Sequence, residues 1–237
     1  MIEYSFVIPV YNEQDNIAPL EAEISDVIQK IGQPCEVLWV DDGSTDKSAE
    51  AIRSVMNCGF DSRLIRFDRN YGQSAALHAG FQNAAGRYVI TLDSDLQNDP
   101  ADILKMIPYL EQYDMVTGWR RSRHDSRWKK FCSWFANGVR NRLSRETIKD
   151  TGCSLKIMKT RYLKRIKMFK GLHRFLPTLM KMEGASVIEV PVTHRPRLKG
   201  ASKYGTWDRA FSGLRDLLAV RWMQDRLLKY HIIEDEK

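Results

Sequence analysis

The sequence predicts an α/β fold in which a mainly parallel sheet is covered by helices on both faces. Three observations lead there. Short apolar runs rich in β-branched residues alternate with stretches of helical period through residues 1–118, the signature of a sheet whose crossovers are helices. Three of those runs end in polar clusters, Tyr11-Asn12-Glu13, Asp41-Asp42 and Asp93 to Gln97, and open parallel sheets bind ligands beyond the carboxyl ends of their strands. An apolar content of 43% in 237 residues is enough for one sizeable core.

The elements follow in order. Tyr4 to Val10 reads as a buried strand, leading into a helix over Ile17 to Ile31 that is capped near Asn12 or Asp15. Glu36 to Val40 is the second strand, and the turn Asp41 to Asp46 supplies the cap for a helix over Lys47 to Met56. Leu64 to Phe67 is a third strand. A helix from about Ser74 to Ala84 stops at Gly86, and Arg87 to Leu92 is the fourth strand. Pro100 begins a helix running to about Leu110, and Met115 to Thr117 is a fifth strand. Beyond residue 118 the spacing predicts helices over Trp128 to Leu143, Thr160 to Ile166 and His173 to Met182, a strand over Val187 to Val192, and a loop over Arg195 to Tyr204. From Trp207 the apolar residues Phe211, Leu214, Leu218 and Trp222 step by three or four, one face of an amphipathic helix. Residues 1–205 therefore read as one domain and 206–237 as a C-terminal amphipathic appendage.

Charge divides the chain. Residues 1–118 hold eight Lys+Arg against 19 Asp+Glu, and residues 119–237 hold 29 against 11. The basic half suits phosphate-bearing partners. The four cysteines, Cys35, Cys58, Cys132 and Cys153, form no C-x-x-C pair, which argues against zinc or a disulfide framework and fits a reducing compartment. The N-terminus has neither a basic n-region nor a small-residue cleavage site. No window approaches the roughly 18 apolar residues of a membrane span.

The stretch TLDSDLQNDP at 91–100 raises the chemical question. Asp93 and Asp95, two apart on a turn leaving a strand, can both reach one Mg²⁺ or Mn²⁺, with Gln97 offering a neutral oxygen. The same residue types also make a solvated, helix-capping loop, so the motif alone leaves both readings open. There is no G-x-G-x-x-G after the first strand and no G-x-x-x-x-G-K-[ST]. A dinucleotide dehydrogenase and a P-loop NTPase both lose support.

VIPVYNE (7–13), VDDGSTD (40–46) and TLDSDLQNDP together resemble the family 2 inverting glycosyltransferases of the GT-A fold, nearest to the polyprenyl-phosphate sugar synthases of the dolichyl-phosphate mannose synthase group. Gly118-Trp119-Arg120, Ser133 to Asn137 and Arg197 to Lys203 extend the likeness, which covers roughly residues 4–205. The resemblance implies that Pro9, Tyr11, Glu13 and Asp42 hold the donor nucleotide. It implies that Asp93, Asp95 and Gln97 hold Mg²⁺ or Mn²⁺, and that Arg120, Lys129 and Ser133 hold the acceptor phosphate. Arg197, with Lys203, would sit on the loop over the donor pyrophosphate. Asp95, Arg120 and Arg197 are the expected catalytic set. Lys129 stands where the family often has Arg, keeping the charge and losing the bidentate fork.

The implied reaction is inverting transfer of a sugar from a UDP- or GDP-linked donor to polyprenyl phosphate, in envelope glycan biosynthesis, by a protein peripheral to the cytoplasmic face of a membrane. The C-terminal helix, with Arg209, Arg215, Arg221, Arg226 and Lys229 on other faces, would lie on an anionic bilayer or pack on the domain. A separate membrane-protein partner is compatible with this reading. Two rivals are transfer to a saccharide hydroxyl, with Asp150 the nearest candidate base, and a nucleic-acid-binding protein. The second leaves D-x-D-L-Q-x-x-P unexplained, and no nucleic acid partner is expected.

Overall fold

The structure, a computed structural model, describes residues 1–56, 60–120, 148–196 and 206–228, with the backbone alone over 206–212. Seven strands, β1 (Tyr4–Val10), β2 (Cys35–Asp41), β3 (Asp61–Arg66), β4 (Tyr88–Thr91), β5 (Met115–Arg120), β6 (Lys156–Lys159) and β7 (Val187–Val192), form one sheet in the order β3-β2-β1-β4-β6-β5-β7. β6 runs antiparallel to both neighbours, while the other pairings are parallel. The helices are α1 (Ile17–Ile31), α2 (Ser48–Val55), α3 (Gln73–Asn83), α4 (Ile103–Met106), α5 (Thr160–Leu163), α6 (Leu176–Met182) and α7 (Thr206–Asp225).

Strand alternation builds two cores. Phe6, Ile8, Val37, Trp39, Ile90, Val116 and Ile157 point to the face covered by α1, α2 and α4. Val7, Leu38, Val89, Met115 and Met158 point to the face covered by α3, α6 and α7. The centre of the sheet is dry on both faces because β1, β2 and β4 are buried on both sides, whereas the edge strands β3 and β7 are partly exposed. Each such side chain contributes about 1.5–3 kcal/mol on burial. Gly80 lets α3 lie against β1, since a Cβ there would collide with the Val7 side chain.

Several boundaries differ from the sequence reading. α1 begins at Ile17 with Asn16 as N-cap and no side-chain cap hydrogen bond, so neither Asn12 nor Asp15 caps it. Asn12 instead takes a left-handed backbone (φ 53°) in the turn after β1. The helix expected from Pro100 to Leu110 is a 3-10 turn (Pro100–Asp102), α4, and a second 3-10 turn (Ile107–Glu111). Pro108 is the cause, because it has no N–H to continue the α ladder. The helix expected from His173 likewise starts as a 3-10 turn, Leu172–Phe175, with Pro177 opening α6. β5 extends to Arg120, bringing Trp119 and Arg120 to the carboxyl edge of the sheet.

β6 was not foreseen. Four residues, Lys-Ile-Met-Lys, carry too short a pattern to mark a strand, and only pairing between β4 and β5 makes them one. The basic helix expected at Trp128 to Leu143 and the loop from Arg197 onward lie outside the described residues.

Candidate functional site

The carboxyl ends of β1, β2, β4 and β5 and the amino end of β6 converge on one edge. The turns after β1 and β2 are laced together there. The Asn12 N–H donates to Ser44 Oγ (2.9 Å), the Thr45 N–H to Asn12 Oδ1 (2.8 Å), and the Glu13 N–H to Ser48 Oγ (2.9 Å). Gly43, at φ 68°, is required, because a Cβ would strike the backbone of Arg69. Pro9, Tyr11 and Glu13 are half-buried on this shelf, with the Pro9 carbonyl accepting from Ser94 Oγ (3.1 Å) and Glu13 Oε2 from Asn16 Nδ2 (2.7 Å).

Asp42 is buried, and its carboxylate organises the approach to α3. Oδ1 accepts from the Tyr71 N–H (2.7 Å) and Oδ2 from the Gly72 N–H (2.9 Å) and Asn70 Nδ2 (2.9 Å). Burial raises its pKa, against the backbone hydrogen bonds from Tyr71 and Gly72. Asp42 therefore shapes the shelf by fixing residues 70–72.

Asp93 and Asp95 stand on the turn leaving β4. Asp93 Oδ1 accepts from Gln73 Nε2 at the start of α3 (2.7 Å), and Asp95 Oδ1 accepts from the Gln97 N–H (3.2 Å). Burial raises the Asp93 pKa first and the neighbouring Asp95 charge raises it further. Two carboxylates that oppose each other in a partly desolvated turn are a hard-oxygen donor set suited to a divalent cation. Among the described residues no three His, Cys, Asp or Glu side chains assemble a cation cage. What the turn presents is this aspartate pair, with Gln97 half-buried beside it.

The rest of the turn is braced. Asn98 Nδ2 donates to Ser154 Oγ (2.7 Å), and Asp99 Oδ1 caps the following turn through the Ala101 N–H (3.0 Å). The Arg195 N–H donates to the Gln97 carbonyl (2.9 Å), while its guanidinium pairs with Glu23 (2.7 Å) and Asp99 (3.0 Å).

Arg120, at the end of β5, is forked onto Asp150, with Nε 2.7 Å from Oδ2 and Nη2 2.9 Å from Oδ1. Glu189 of β7 holds that partner in turn, accepting from the Lys149 N–H (2.9 Å) and the Asp150 N–H (3.0 Å). Asp150 is thereby engaged by a guanidinium instead of being presented to a substrate hydroxyl. The structure brings Pro9, Tyr11, Glu13, Asp42, Asp93, Asp95, Gln97 and Arg120 to one edge, whereas Lys129, Ser133, Arg197 and Lys203 lie outside the described residues. Sequence reasoning missed Gln73, Asn70, Ser154, Glu189 and Lys156, because nothing near them in the chain marks a partner 20 to 60 positions away. Lys156 left one trace, a lysine inside the apolar run Leu155-Lys156-Ile157-Met158.

Comparison with known proteins agrees with this architecture. The chain is 38% identical over 225 residues to the dodecaprenyl-phosphate galacturonate synthase of Rhizobium johnstonii, covering 92% of this chain and 66% of that protein. It is 37% identical over 203 residues to the undecaprenyl-phosphate 4-deoxy-4-formamido-L-arabinose transferase of Edwardsiella ictaluri, covering 85% and 62%. The chain thus spans just under two thirds of the length of these relatives. Its fold matches a crystal structure of glucosyl-3-phosphoglycerate synthase from Mycobacterium tuberculosis in complex with Mn²⁺, UDP and glucosyl-3-phosphoglycerate. The TM-score is 0.68 at 15% identity, covering 96% of this chain and 81% of the other. The model of the family described as Glycosyl transferase family 2 matches residues 5–167. With its GT-A-like sheet and its aspartate pair at the carboxyl edge, the chain belongs to glycosyl transferase family 2.

Proposed function

We propose that this chain is the catalytic region of an inverting glycosyltransferase that moves a sugar from a UDP- or GDP-linked donor to polyprenyl phosphate. One observation carries the reading: the Asp93–Asp95 turn and the Asp150-held Arg120 meet on a single sheet edge, a cation-binding half beside a phosphate-binding half. The printed activities of the 37–38% identical relatives, each acting on a polyprenyl phosphate, support the acceptor class.

Asp93 and Asp95, with Gln97, would hold Mg²⁺ or Mn²⁺, which supplies charge neutralisation to the leaving diphosphate. The shelf of Pro9, Tyr11 and Glu13, framed by Asp42, takes the nucleoside. Arg120, together with Lys129 and Ser133, orients the acceptor phosphate in line with the anomeric carbon. Arg197 and Lys203 oppose the charge growing on the leaving group. A phosphate monoester is ionised near neutral pH, so the nucleophile needs no base, consistent with an Asp150 committed to Arg120. Residues 1–118 are then the nucleotide and metal half and 119–205 the acceptor half.

The C-terminal helix supports a membrane-facing role for 206–237. Leu217 and Val220 of α7 are buried against the domain, while Leu214, Leu218 and Trp222 face outward, Trp222 64% exposed. Arg215 and Arg226 are exposed on the same side. Apolar side chains bordered by arginines fit an anionic bilayer surface, on the cytoplasmic face where the donor is consumed. Among the described residues no helix is long and apolar enough to cross a membrane.

The test incubates the protein with undecaprenyl phosphate, Mg²⁺ or Mn²⁺, and labelled UDP- and GDP-sugars, counting label that enters the organic phase. Metal-dependent transfer from one donor is expected. No transfer from any donor, with nucleoside diphosphate still binding in the presence of Mn²⁺, would count against the lipid phosphate as acceptor and point to another acceptor or a required membrane partner.

A further inference from the structure

Lys156 is the first residue of β6, and in the sheet register it lies between Thr91 of β4 and Thr117 of β5. Strand alternation puts its side chain on the face that Met158 shares with Val89 and Met115, under the start of α3. It is 3% exposed. Among the described residues its ammonium makes neither a hydrogen bond nor an ion pair, while its backbone is paired in the sheet. The titratable groups within electrostatic reach include Cys153, Asp93, Asp150, Arg120 and His173.

Three other cations among the described residues are matched. Arg120 is forked onto Asp150, Arg195 sits between Glu23 and Asp99, and Lys159 is paired with Asp114. A buried ammonium without a partner is costly, so burial lowers the Lys156 pKa, and an arriving anion would offset that cost. Asp93 balances it at a distance in the free protein, yet that carboxylate is directed to Gln73 and is the one a divalent cation would neutralise. A second polar group waits beside it. The Thr117 hydroxyl is fully buried and has no hydrogen-bond partner among the described residues, whereas the Thr91 hydroxyl is already spent on the Ser154 carbonyl (2.7 Å).

We propose that Lys156, with Thr117, is a substrate-binding residue that receives a phosphate oxyanion at the floor of the site. This rests on the glycosyltransferase reading above and deepens it: among the described residues Arg120 is neutralised by Asp150, whereas Lys156 has no carboxylate in contact. The oxyanion is that of the acceptor phosphate or of the donor diphosphate, two sources with the same chemistry.

Equilibrium binding separates them without requiring turnover. Calorimetry on the full chain measures farnesyl phosphate, and UDP and GDP each with Mn²⁺, against wild type, Lys156→Met, Lys156→Gln and Lys156→Arg, with folding followed by circular dichroism. The methionine and glutamine variants fill similar volume without charge, so one of them reports even when the other is unstable. Loss of a charge-assisted hydrogen bond predicts about 10- to 100-fold weaker binding of one probe, largely retained by Lys156→Arg. Weakening confined to farnesyl phosphate assigns Lys156 to the acceptor, and weakening confined to nucleotide assigns it to the donor. Unchanged affinity for every probe in a folded neutral variant overturns the proposal, as does a wild type that binds none. A wild type that binds nucleotide with Mn²⁺ but ignores farnesyl phosphate sinks the lipid-acceptor reading separately, and the nucleotide arm still decides Lys156.

Discussion

Arg120 and Asp150 form a bidentate pair, 2.7 and 2.9 Å, with both side chains largely buried. The pair fixes the plane of the guanidinium at the end of β5 and engages both oxygens of Asp150. Removing one partner leaves the other charge desolvated. Asp150→Asn should therefore cost about 3 kcal/mol of stability, measured by urea unfolding, and should raise the acceptor KM while nucleotide binding stays unchanged. An Asp150→Asn protein of wild-type stability and wild-type acceptor KM would show that the pair positions nothing.

Asp95→Ala should remove the cation site. Groups that stabilise transition-state charge are worth about 100-fold or more in kcat, and Mn²⁺-dependent nucleotide binding should disappear with it. Near-normal turnover in this variant would take Asp95 out of the metal role.

His173 makes stability depend on pH. Its Nδ1 is 2.7 Å from Ser74 Oγ, and the Ser74 hydroxyl also accepts from the Gly171 N–H (3.0 Å). Burial, then the charges of Arg174 and Lys156, lower its pKa from 6.5 to about 3. Asp216 of α7 abuts the adjacent Gly171. Because the folded pKa lies below the unfolded one, the unfolded chain binds the extra proton between those values. Stability is complete above about pH 6.5 and is lost as pH falls toward 3, by at most about 2 kcal/mol at pH 5 from this group. Urea unfolding of wild type and His173→Gln at pH 5 and 7.5 checks it, since the variant should lose that part of the slope. An equal pH slope in both proteins would remove His173 as the source.

The outward face of α7 gives a surface prediction. Leu218→Ser with Trp222→Ser deletes two exposed apolar side chains, each worth about 1.5–3 kcal/mol when buried. Flotation with phosphatidylglycerol vesicles should show at least about tenfold weaker binding, with no change in melting temperature, because Leu217 and Val220 on the opposite face are untouched. Equal flotation of variant and wild type would eliminate this face as the contact.

Among the sequence signals, alternating apolar runs located every parallel strand from β1 to β5, as well as β7. The polar clusters at their ends located the edge where Asp42, Asp93 and Arg120 meet. Such features are legible because burial between two helical layers favours an apolar strand, and a run of carboxylates after it marks where the chain leaves the core. Local patterns failed where a single residue outvoted its neighbours, as Pro108 and Pro177 did. They failed again at β6, whose strand character comes from pairing with β4 and β5.

What the sequence by itself determined is therefore the layered α/β fold, the edge where the candidate site residues gather and the charge division between the halves, each a property of composition and period along the chain. Only the tertiary structure decided that Asp42 frames residues 70–72, that Asp150 clamps Arg120 and is itself held by Glu189, and that Lys156 lies buried beside a Thr117 hydroxyl unpartnered among the described residues. Those relationships join residues about 30 to 40 positions apart, and their energies depend on distance and burial in space, which no spacing along the chain encodes.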